Sequence, residues 1–140
     1  MVDIEPGQQA SFTKTVTESD VSLFAAVSGD FHPQHVDEEY AKTTRYGQRL
    51  AHGALLVAYM SAAFARYWQT WLRGRATQPV VSYGYDRIRF IRPVFIGDTV
   101  TTDYRIAEVD VAADKVFADV TCTNQRGDLV AAARHIIKFV

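Results

Sequence analysis

The chain has 140 residues, 48% of them hydrophobic and 22% charged, with a formal net charge of −1. That length suits one domain, residues 1–140, with a real hydrophobic core, and the composition excludes a disordered chain. So small a net charge excludes a global field that would draw the protein to nucleic acid or an anionic membrane, and any anion-binding surface must be local.

The opening Met1-Val2-Asp3-Ile4-Glu5-Pro6 is acidic and lacks the basic-then-apolar pattern of a secretory leader, so none is expected. Ser11-Phe12-Thr13-Lys14-Thr15-Val16 has the β-branched content of a short strand. Thr17-Glu18-Ser19-Asp20 supplies capping hydroxyls and early carboxylates for a helix whose short apolar face is Val21, Phe24, Ala25 and Val27, ending at Ser28-Gly29. Asp30-Phe31-His32-Pro33-Gln34-His35 is expected to be irregular, because Pro33 lacks an N–H and pushes His32 out of helical geometry. Asp37, Glu38 and Glu39 then suit the first turn of a small helix, expected to stop near Gly47.

Leu55, Leu56, Tyr59, Met60, Ala63, Phe64, Tyr67, Trp68 and Trp71 recur at helical spacing over 52–72, and apolar residues fill much of the remaining circumference. Such a helix is wrapped by other structure rather than laid on a surface. His52, Ser61, Arg66 and Gln69 interrupt the apolar stretch, and charge inside a membrane span is costly, so a buried helix is expected instead. Segments 80–91, 98–109, 115–124 and 129–140 are rich in Val, Ile, Thr, Tyr and Phe and are divided by turn residues, which predicts strands. The last three form an antiparallel meander, and the whole is an α+β domain with its sheet curled around the long helix.

Two clusters carry chemistry. His35 follows Asp30 by five positions across a loop stiffened by Pro33, which can aim a carboxylate and an imidazole at one point for general acid/base catalysis of water addition. The same residues also suit a capping aspartate and a surface histidine. Ala51-His52-Gly53-Ala54-Leu55 opens the long helix, where unpaired N–H groups and positive potential are presented, and Gly53 has no side chain to block a ligand. Backbone donors there stabilise the oxyanion of an acyl thioester as negative charge develops on its carbonyl; alternatively Gly53 serves close packing. His52 is expected to orient the loop.

Together, Ser28-Gly29-Asp30-Phe31-His32-Pro33-Gln34-His35-Val36-Asp37, Ala51-His52-Gly53 and Arg92-Pro93-Val94-Phe95-Ile96-Gly97-Asp98 resemble the MaoC-like family, including (R)-specific enoyl-CoA hydratases, over roughly residues 12–139. The resemblance implies a single hotdog fold, a homodimer formed through the sheets, and hydration or dehydration of an acyl-CoA thioester without a cofactor. It assigns Asp30 and His35 as the catalytic pair, the Gly53 N–H as oxyanion donor, and Ser61 and His52 as supporting residues. His32 stands where many members carry Asn.

Other readings are weaker. Three histidines with Asp30 and Asp37 suggest a metal site, but no helical His-Glu-x-x-His or paired cysteines support it, and no metal is expected. Arg87 and Arg89, two apart on a predicted strand, would share a face and, with Arg92 near the turn, meet the phosphates of coenzyme A, within one subunit or across a dimer; surface or interface ion pairs are the alternative. Tyr59, Tyr67, Trp68 and Trp71 are expected in the core. Cys122, the sole cysteine, precludes an intrachain disulfide, suits a reducing cytoplasm and is expected to be structural. A hotdog thioesterase would need a carboxylate on the long helix, and 52–72 contains no Asp or Glu. A non-catalytic thioester-binding protein of the same fold is the remaining alternative.

Overall fold

The computed structural model describes residues 3–140; Met1 and Val2, part of the acidic opening segment, lie outside the described residues. β1 (Gln9–Thr15) leads into α1 (Glu18–Ser28), followed by the short α2 (Pro33–Val36) and α3 (Glu38–Thr43). α4 (Gly53–Tyr67) continues into a π-helical turn at Trp68–Leu72. β2 (Val80–Phe90), β3 (Thr99–Asp110), β4 (Lys115–Thr123) and β5 (Leu129–Phe139) complete the chain. The five strands form one antiparallel sheet in the order β1-β3-β4-β5-β2.

Strand alternation turns Val100, Tyr104 and Ile106 of β3 and Val116, Ala118, Val120 and Cys122 of β4 inward. They share one core with Leu55, Leu56, Tyr59, Met60, Ala63 and Tyr67 of α4, each buried aliphatic side chain contributing roughly 1.5–3 kcal/mol. A sheet wrapped on a long helix is the hotdog arrangement. No helix among the described residues is long and apolar enough to cross a membrane.

Several local expectations are corrected. Residues 33–36 form one helical turn rather than irregular loop. Pro33 occupies its first position, where a missing N–H costs nothing, and His32 Nδ1 accepts from the Gln34 N–H at 3.3 Å as the cap. His32 thus performs the capping that an Asn would perform. α3 ends at Thr43 rather than near Gly47, because the Thr44 hydroxyl and N–H both donate to the Ala41 carbonyl and turn the chain away. On α1, Val21 and Ala25 are buried but Val27 is 85% exposed.

α4 is not fully wrapped within the single chain: Ala54, Ala58, Ser61, Ala65 and Trp68 form an exposed stripe, so Trp68 is not core. The long helix also does not stay α-helical to residue 72. In its widened last turn Leu72 is fully buried and Trp71 Nε1 donates to the Gln9 carbonyl at 3.0 Å, tying the helix end to β1.

β2 is an edge strand with register shifts at Ser82/Gly84 and Asp86/Arg89. At the second, Arg87 adopts φ 54°, and both Arg87 and Ile88 fall between the pairs Asp86↔Arg134 and Arg89↔Ala132. The bulge cancels the alternation that would have placed Arg87 and Arg89 on one face.

Candidate active site

Asp30 lies just past the left-handed Gly29 that ends α1, where the N–H of Gly29 donates to the Ala25 carbonyl. The Asp30 carboxylate accepts from the His32 N–H at 3.1 Å, a local turn made by its own short side chain. That backbone hydrogen bond, with lesser help from the neighbouring histidines, holds its pKa below the ordinary carboxylate value, so it is ionised at neutral pH.

His35 is buried on α2, and its Nδ1 lies 2.7 Å from the Leu50 carbonyl. A carbonyl only accepts, so Nδ1 carries the proton and Nε2 presents a lone pair. Nε2 stands 4.0 Å from Asp30 Oδ2 and 3.4 Å from the Gln34 side-chain nitrogen. Burial lowers the pKa of His35, and the bond to Leu50 and the Asp30 charge only partly oppose it, so the neutral, basic imidazole is favoured.

His52 is buried behind this pair. Its ring stacks on His35 with centroids 3.9 Å apart, and its Nε2 donates to the Asp30 carbonyl at 2.9 Å. It therefore fastens the Asp30 segment to the head of α4. The Ala51 N–H donates to the Val94 carbonyl at 2.8 Å, and the Leu50 N–H to the Gln34 carbonyl at 3.0 Å. Val94 is held in turn by the Asp98 carboxylate, which accepts from the Phe95 N–H at 2.9 Å, and by Gly97, whose φ of 98° lets its N–H reach the Val16 carbonyl. The Phe95–Asp98 end of the Arg92–Asp98 motif is thus a bracket for the site, while Arg92, Pro93 and Val94 line its cavity.

Gly53 is the first residue of α4, and its N–H has no hydrogen-bond acceptor among the described residues. A Cβ at this position would lie 2.7–2.9 Å from the Phe90 ring, so the close approach of that side chain favours glycine. Asp30, His35 and Gly53 line a single open cavity of about 560 Å³. Leu56, Phe90 and Val94 supply apolar wall, and Arg45 and Arg92 add the cations.

Of the other residues singled out in the sequence, Ser61 lies on the exposed stripe of α4, two turns beyond Gly53, and does not line this cavity; neither do Arg87 and Arg89. Gln34, the Leu50 carbonyl and Arg45 were not foreseen, and only Gln34, inside the Asp30–His35 segment, carried a local signal. Asp30, His35 and His52 offer ligand atoms within 4.8 Å of one another. A metal would need a third free donor, and the nitrogen His52 has left, Nδ1, is sealed from solvent without a partner. The set suits acid/base chemistry better.

Comparison with known proteins identifies the family. The sequence fits the family described as "MaoC like domain" over residues 3–126. It is 40% identical to an (R)-specific enoyl-CoA hydratase of Rhodospirillum rubrum over 121 residues, covering 86% of this chain and 78% of that protein. It is 34% identical to an (R)-specific enoyl-CoA hydratase of Aeromonas caviae, covering 97% and 96% of the two chains. The structure superposes on the unliganded R-hydratase of Pseudomonas aeruginosa with a TM-score of 0.82 and 34% identity, over 98% of this chain and 83% of that one. The chain therefore belongs to the MaoC-like domain family.

Proposed function

We propose that the protein is a hydro-lyase that adds water to, or removes it from, an α,β-unsaturated or 3-hydroxy acyl-CoA thioester. One observation carries this reading: an ionised carboxylate and a neutral imidazole nitrogen 4.0 Å apart open into the same cavity as a free helix-tip N–H. One water oxygen bridges such a gap with two hydrogen bonds of about 2.8 Å. The thioester carbonyl docks on the Gly53 N–H, which together with the end of the α4 dipole stabilises the enolate-like state. His35 Nε2 takes a proton from the bridging water as its oxygen attacks the β-carbon, and Asp30 stabilises the resulting imidazolium. The same proton is returned to the α-carbon on that face, so water is consumed and both catalytic groups are restored. Dehydration is the reverse path, and no cofactor enters either direction.

Within this reading His52 is a positioning residue, because it reaches Asp30 through the backbone and His35 through ring stacking. Ser61 lies on the exposed stripe of α4, outside the cavity, and takes no step in this scheme. That stripe and the exposed Val81, Tyr83, Phe90 and Ile91 on and just after the edge strand β2 favour a homodimer, which would cover both.

The test follows loss of the conjugated-thioester absorbance of crotonyl-CoA and longer enoyl-CoAs, with free thiol assayed in parallel. Hydration removes the absorbance without releasing thiol. Asp30→Asn and His35→Ala are each expected to lower turnover by about 10²–10⁴-fold with folding retained. Near-normal turnover in both variants, or thiol release matching the absorbance loss, would overturn the proposal.

A further inference from the structure

We infer that Arg45 and Arg92 form a phosphate-binding rim for the phosphate at the end of the substrate's pantetheine arm. The inference rests on the hydratase reading only in placing a thioester in the cavity.

Several basic side chains are committed to carboxylates. Arg49, four residues past Arg45, is held by Glu18 and Glu38, and Lys42 pairs with Glu39. Arg126 and Arg134 are likewise paired with acidic partners. What sets Arg45 and Arg92 apart is their place in the cavity wall. Neither has a carboxylate within 4.0 Å among the described residues, and both line the cavity that holds Asp30, His35 and Gly53. Asp30 is the only acidic residue on that wall, and it lies at the reacting end.

The two arginines come from separate segments, with the Arg45 side chain and the Arg92 backbone each held in place. Arg45 donates to the Tyr46 hydroxyl at 2.7 Å and lies 4.8 Å from the centroid of the same ring, which restrains its position while leaving most of its donors free. Arg92 follows the end of β2, where the N–H groups of Ile91 and Arg92 both donate to the Val130 carbonyl. Two guanidiniums without carboxylate partners beside an apolar-walled cavity suit a phosphate, which accepts their forked donors in directed pairs. The role that sequence spacing assigned to Arg87 and Arg89 passes to this pair, because the bulge at Arg87 breaks their shared face and neither reaches the cavity.

Both coenzyme A and the phosphopantetheine of a carrier protein place phosphate at that end of the arm. The experiment therefore compares three crotonyl thioesters, those of pantetheine, 4′-phosphopantetheine and coenzyme A, on the wild type and on Arg45→Ala/Arg92→Ala. The substitution is expected to raise KM for the coenzyme A thioester at least about tenfold, given the strength of charge-assisted contacts, and to leave the pantetheine thioester within about twofold. A matching rise with 4′-phosphopantetheine supports contact with the single phosphate at the end of the arm, as on a carrier protein; a rise with coenzyme A alone overturns that assignment, because it places the contact on the nucleotide phosphates. Equal changes for all three thioesters, or no change for coenzyme A, overturn the inference.

Calorimetric titration with free coenzyme A separates this idea from the hydratase reading. If the wild type hydrates none of the thioesters yet binds coenzyme A about tenfold more tightly than the variant, the hydratase reading fails and the phosphate rim stands. If the alanine variant does not fold, Arg45→Gln/Arg92→Gln, which keeps side-chain bulk and removes only charge, provides the same comparison.

Discussion

Lowering the pH from 7 to 5 should cost this protein about 2 kcal/mol of folding stability through one residue outside the active site. His135 on β5 is fully buried, with Nε2 2.7 Å from the Ser82 hydroxyl, Nδ1 2.6 Å from the Tyr104 hydroxyl, and its ring stacked on Tyr85. No carboxylate among the described residues contacts it, and burial depresses its pKa from 6.5 to about 4. Because the folded value lies below the unfolded one, the unfolded chain binds the proton first. Stability is therefore full above about pH 6.5 and is lost as the pH falls towards 4, by about 3 kcal/mol in all. Replacing His135 with Gln removes the titration while leaving an amide able to reach one of the two hydroxyls. Urea unfolding at fixed protein concentration, at pH 7, 6 and 5, measures both slopes. The wild type should lose about 2 kcal/mol more than His135→Gln over this range; what the variant still loses comes from His35, whose burial shifts it in the same direction. Parallel slopes in the two proteins would refute the argument, because they would show that His135 is not held neutral by its surroundings.

Three further outcomes are expected. The acid limb of the kcat/KM profile should have its midpoint below the ordinary histidine value, because burial disfavours protonated His35, and Asp30→Asn should move any residual profile lower still by removing a charge that favours the imidazolium. A midpoint above 7 would contradict this. Gly53→Ala should destabilise the fold by about 1 kcal/mol, since its methyl meets a Phe90 ring that is 54% exposed and free to swing aside; in a Phe90→Ala background the cost should disappear, as measured by urea unfolding. Prolonged chelation followed by the absorbance assay should leave turnover unchanged, and a loss restored by added Zn²⁺ would show that Asp30, His35 and His52 hold a metal.

The sequence by itself determined what depends on near neighbours. Apolar periodicity announced α4 and the four later strands, and turn residues set their limits to within a few positions. Pro33 showed that Asp30 and His35 sit on a constrained segment, and three motifs in order pointed to the family. Tertiary structure decided what depends on segments far apart in the chain. The tautomer of His35 comes from a carbonyl fifteen residues away, and the neutrality of His135 comes from the strands packed around it. The bulge at Arg87 answers to register with β5, so strict alternation misplaced the arginines, while Arg45 and Arg92 meet Gly53 only after the chain has folded. Periodicity records which face of an element avoids water; it does not record which other segment covers that face, and the chemistry of this cavity is assembled between segments.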